Sequence, residues 1–82
     1  MQHELKTIQP YFNAVQNGLK PFELRKNDRN FKKGDTLLLR EWSNKDGYSG
    51  NFILKTITYV LKDYIGIEEG YCILGLDYKI ER

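Results

Sequence analysis

Residues 18–25, GLKPFELR, decide between helix and strand for the most charged part of the chain. Gly18 stops any helix that precedes it, and Pro21 restricts Lys20 toward an extended backbone. Phe22, Glu23, Leu24 and Arg25 then alternate apolar with charged, the period of a strand, in which side chains two apart share a face. Glu23 and Arg25 therefore point together, away from Phe22 and Leu24. A carboxylate fixed beside a guanidinium has two readings, a solvated structural ion pair or the polar wall of a pocket.

Upstream, HELKTI at 3–8 reads as a short strand. Pro10 suits a first helical position, and Ile8, Phe12, Val15 and Leu19 recur at helical spacing, which predicts one amphipathic helix near residues 9–17. The motif strand covers residues 20–26, and NDRN at 27–30 reads as a loop, because Asn and Asp make local side-chain turns. Gly34-Asp35 turns the chain into TLLLREW at 36–42, a largely buried strand. SNKDGYSGN at 43–51 carries two turn signals, Asp46-Gly47 and Ser49-Gly50, and is expected to be a long, mobile hairpin loop. FILKTITYVLKD at 52–63 and YCILGLDYKI at 71–80 supply two further strands, rich in β-branched and aromatic residues. Five strands and one helix in one domain spanning residues 1–82 leave no second helix to cover a sheet face, so closure into a small barrel is the economical fold.

With 82 residues the chain buries only about 60–65% of the surface its unfolded form exposes, and its stability is expected at about 4–12 kcal/mol. Cys72 stands alone inside an apolar run and reads as inert core, in keeping with a reducing compartment. The start, MQHELK, is charged, and no apolar run approaches the roughly 20 residues of a membrane span. The expectation is a soluble, cytoplasmic protein without a membrane partner. The net charge of +2 is unevenly spread: residues 20–33 hold six basic side chains against two acidic ones, whereas residues 63–82 hold five acidic against two basic. A basic face of that kind attracts phosphate.

One histidine and one cysteine exclude the usual zinc ligand sets, and no phosphate-binding glycine loop or G-x-S-x-G elbow occurs. No metal and no cofactor are expected.

Residues 18–25 match G-x-K-x-x-E-x-R position for position, which resembles the signature stretch of the ASCH domain, a PUA-like family. The resemblance to a short stand-alone branch of that family extends through HELK at 3–6, FELRKNDR at 22–29, LREW at 39–42, GYSG at 47–50, ITYVL at 57–61 and GYCILGL at 70–76. It implies an α+β, mainly β fold: a small, partly closed PUA-like barrel of five or six strands, one short helix at its side, and a cleft beside the motif strand. The implied ligand is RNA or a nucleotide-like molecule, with protein partners in transcription or translation suggested by the family's coactivator members.

In that cleft Lys20 would sit at the mouth, Arg25 would offer a planar fork to phosphate or a base edge, and Glu23 would hold the fork or accept from a base amine. Lys26, Asn27 and Arg29 would extend the rim, Trp42 and Tyr48 would offer stacking faces or else cover the barrel's open end, and His3 and Lys6 would border the cleft. The resemblance also carries a hydrolytic alternative. Some ASCH-like proteins deacetylate acetylated cytidine with a lysine at the Lys20 position and a threonine nucleophile, and ribonuclease activity is suggested for others. Glu23 stands at the threonine position, and a carboxylate cannot replace a hydroxyl in that acyl transfer.

Overall fold

The longest strand shapes the molecule. β4 (Gly47–Lys62) has sixteen residues, which fully extended would reach about 50 Å at roughly 3.3 Å per residue, whereas the longest dimension of the molecule is 34 Å. It therefore bends, and register shifts mark where. Between Arg40 and Trp42 of β3 (Thr36–Ser43), β4 carries extra residues around Gly50, whose φ of 98° suits a bulge, and a second shift falls between Ile57 and Tyr59. The first half of β4 pairs with β3 and the second half with β5 (Tyr71–Leu76), both antiparallel.

The computed structural model describes residues 1–77, so residues 78–80 of the expected last strand lie outside the described residues. β1 (Gln2–Thr7) runs parallel to β3, and β2 (Phe22–Lys26) runs antiparallel to β5. The result is a mostly β domain: one five-stranded sheet in the order β1-β3-β4-β5-β2 and one short helix, α1 (Tyr11–Gln16). No helix among the described residues is long and apolar enough to cross a membrane.

Alternation builds the core. Leu5 of β1, Leu37 and Leu39 of β3, Ile57 of β4 and Cys72, Leu74 and Leu76 of β5 bury together, joined by Val15 from α1 and Phe31 from the β2–β3 loop. Burial pushes the Cys72 thiol above its ordinary pKa, as expected of inert core.

The helix is shorter than its apolar spacing predicts. Phe12 and Val15 are buried, but Ile8 and Leu19 fall outside α1 and are exposed. Its end is set by Gly18, whose φ of 78° places it in the left-handed region. The Leu19 amide donates to the Ala14 carbonyl at 2.9 Å and the Gly18 amide to Val15 at 3.1 Å, the paired bonds of a Schellman motif. Gly18→Ala is expected to cost about 1–2 kcal/mol, the strain of a Cβ in that conformation, read as a lower midpoint in urea with an unchanged slope.

The hairpin also differs from expectation. Only residues 44–46 form its turn, and Ser43 Oγ accepts from the Asp46 amide at 2.9 Å. Gly47 at φ 72° closes the turn, whereas Ser49-Gly50 is a bulge within β4 rather than a second turn. Trp42 and Tyr48 consequently face each other as a cross-strand pair beside the short turn.

Candidate binding cleft between the two edge strands

The motif strand is inside out. Glu23 is 3% exposed, whereas its neighbours Phe22 and Leu24 are 43% and 58% exposed. Glu23 lies opposite Leu74 and Arg25 opposite Cys72, so the charged face of β2 shares the side of the sheet that carries the core. A carboxylate there requires partners, and both its oxygens have them. Lys20 Nζ donates to Oε2 at 2.5 Å, while Arg25 Nε and Nη2 converge on Oε1 at 3.0 and 2.8 Å. Lys20 Nζ also donates to the Phe22 carbonyl at 3.0 Å and lies 5.1 Å and 5.6 Å from the ring centres of Phe22 and Tyr11.

β1 and β2 are the two edges of the sheet and do not pair. Arg25 spans the gap between them: Nη2 donates to the Lys6 carbonyl at 3.0 Å and approaches Thr7 Oγ1 at 3.4 Å. Arg29 Nη1 donates to the Glu4 carbonyl at 2.8 Å. Glu4 and Lys6, two apart, turn their carbonyls to the same unpaired edge, and arginines occupy both.

The gap opens into a cavity of about 670 Å³ lined by Lys6, Thr7, Ile8, Tyr11, Lys20 and residues 22–25 of β2. Two cations, Lys20 and Arg25, face one carboxylate there, between aliphatic and aromatic walls, while the Lys6 ammonium lies at the border over Trp42. Arg25 Nη1 makes no hydrogen bond among the described residues, which leaves that corner of its fork for a ligand.

Of the residues expected at the site, Lys6, Lys20, Glu23 and Arg25 come together in this cavity. The others do not line it. His3 is buried beneath β1, where its ring meets Phe31 edge-on at 4.7 Å and Nε2 lies 2.8 Å from Asp35 Oδ2. Asn27 caps its own loop, accepting from the Phe31 amide at 3.3 Å. Lys26 is exposed at the end of β2, and Arg29 is spent on the β1 edge. Tyr48 has Arg40 stacked 3.8 Å from its ring centre. Trp42 has Lys6 Nζ at 4.5 Å and lines a neighbouring cavity. Sequence reading passed over Thr7 and Tyr11 and gave Ile8 only to the helix's apolar period; no local signal marked that the end of β1 and the start of α1 border one cavity.

Asp35 holds the β1–β3 corner. The hydrogen bond with His3 lowers its pKa most, outweighing desolvation, and the Lys32 amide and the N-terminal ammonium add to the shift. A depressed folded-state pKa gives stability that is present above the unfolded value, about 4, and lost as pH falls through the folded one. The stability difference between wild type and Asp35→Asn should therefore shrink as pH falls below about 4, measured by urea melts across an acid series. A difference that stays constant to pH 2 would exclude this contribution.

Taken together, the chain is a small mostly β domain with a basic, apolar-walled cleft at the junction of its sheet edges. Residues 2–76 match the family described as a domain of unknown function, DUF3850, and the chain belongs to that family. It is also 41% identical over 69 residues to an uncharacterized 12.9 kDa protein in the GpA 3′ region of Escherichia phage P2. The match covers 77% of this chain and 62% of the phage protein.

Proposed function

We propose that the protein is an RNA- or nucleotide-binding module of the ASCH type, with its five strands curled into a partly closed PUA-like barrel whose open seam is the binding cleft. The curl is supported by the shared core of β1 and β5 residues and by the arginine bridges from β2 and its loop to β1. The observation that carries the binding reading is the cleft's chemistry. Lys20 and Arg25, with Lys6 at the border toward Trp42, supply positive charge for phosphate, while Tyr11, Phe22 and Ile8 supply surfaces for a base, in a volume within the range of about 300–1,000 Å³ usual for ligand pockets. The hydrolytic alternative gains nothing from the geometry, because both oxygens of Glu23 are engaged by Lys20 and Arg25. The reading places the protein in the cytoplasm, in keeping with a buried, unpaired Cys72.

Titration of a single-stranded RNA oligonucleotide tests the reading. Affinity should fall as salt rises, through counterion release, and Lys6→Ala, which removes an exposed cation at the cleft's border, should weaken binding to all sequences alike. Absence of binding to any RNA pool at low salt would reject nucleic-acid recognition.

A further inference from the structure

A second cavity, of about 570 Å³, adjoins the cleft. Ile8 lines both, and Lys6, a wall of the first, places its ammonium over Trp42, a wall of the second. The remaining lining includes Gln9, Glu41, Ser43, Asn44 and Asp46. Its lining differs from the cleft's: carboxylates, hydroxyls and amides around one indole, with the Lys6 ammonium over that indole at the border. Glu41 is fixed there by Ser49 and Asn51 on Oε1, at 2.7 and 2.9 Å, and by Gln9 on Oε2 at 2.6 Å, which leaves Oε2 with acceptor capacity to spare. Such a site offers an indole for stacking and accepts hydrogen bonds from an amine, with its positive charge confined to the Lys6 border.

We infer that the two cavities are successive sites on one single-stranded RNA ligand: a nucleotide in the cleft, the neighbouring base against Trp42, and the linking phosphate on Lys6. This rests on the binding reading above and extends it to a second subsite. Lys6 is the cation that borders both cavities, so it is where an internucleotide phosphate finds its charge. The acceptors around Trp42 select a base that carries an exocyclic amine. Between pyrimidines of equal size, cytosine is favoured over uracil, which presents a carbonyl at the same position.

Trp42 is the one tryptophan of the chain, so its emission reports on the second cavity directly. The protein is titrated with cytidine 5′-monophosphate, with the dinucleotide CpC and with UpU. CpC is expected to bind about tenfold or more tightly than the monophosphate, the usual gain from one stacked base, to quench Trp42 and to outcompete UpU. In Trp42→Leu the advantage of CpC over the monophosphate should disappear. Equal affinity of monophosphate and CpC, with Trp42 emission unchanged by CpC, would overturn the second subsite and leave the cleft reading standing. Failure of every probe to bind would remove both. The emission of the wild type needs no variant, so the inference stays testable should Trp42→Leu not fold.

Discussion

Glu23→Ala is expected to lower stability by about 2–4 kcal/mol, a large share of the roughly 4–12 kcal/mol that a domain of this size holds. The carboxylate is almost wholly buried, and its removal leaves the Lys20 ammonium and the Arg25 guanidinium facing each other without a counter-charge. Breaking a buried pair costs about 3–5 kcal/mol; Lys20 and Arg25 retain side-chain exposures of 20% and 25%, so water recovers part of that cost. Glu23→Gln, which keeps one acceptor and the side chain's shape, should fall between wild type and Glu23→Ala and remain folded while RNA affinity drops. Urea denaturation of the three proteins decides the matter. A loss below about 1 kcal/mol for Glu23→Ala would mark the cluster as an ordinary solvated ion pair.

On the proposed binding reading, Arg25→Lys should reduce RNA affinity by about 1–3 kcal/mol, roughly five- to 150-fold, although the charge is unchanged. The guanidinium reaches Glu23, the Lys6 carbonyl and Thr7 at once, with Nη1 still open to a ligand. One ammonium cannot hold the β2 edge to β1 and present a donor to the cleft at the same time. Because the number of cations is conserved, the slope of log affinity against log salt should match wild type while affinity falls at every salt concentration. Equal affinity would show that Arg25 acts only as a charge, and a changed slope would show that the substitution had rearranged the cleft.

The elements were legible in the sequence where local rules govern them. Gly18 announced the end of the helix, and β-branched and aromatic runs announced the strands. Asp46-Gly47 announced the turn. Ser49-Gly50 was misread because a glycine with positive φ serves a bulge as readily as a turn, and only the pairing of Arg40 with Phe52 and of Trp42 with Tyr48 tells them apart. Ile8 and Leu19 were drawn into the helix by a period that in the fold only Phe12 and Val15 bury.

The site was legible in part for a similar reason. Alternation in Phe22-Glu23-Leu24-Arg25 fixes that Glu23 and Arg25 share a face, because pleating leaves no other choice. It does not say which face turns inward, and here the charged one does, since β2 is an edge strand whose inner side meets Lys20 and the facing edge of β1 rather than a second apolar layer. That arrangement depends on β1 and β2 being brought toward each other by three strands that lie between them in the sheet. The gathering of Lys6, Thr7, Ile8 and Tyr11 around the motif follows from that approach of β1 to β2, and the diversion of His3 to Asp35 follows from the pairing of β1 with β3. Local periodicity thus determined the strands and the composition of the motif's two faces; the tertiary structure alone decided that the charged face is buried, because burial depends on what the sheet's curvature places opposite it.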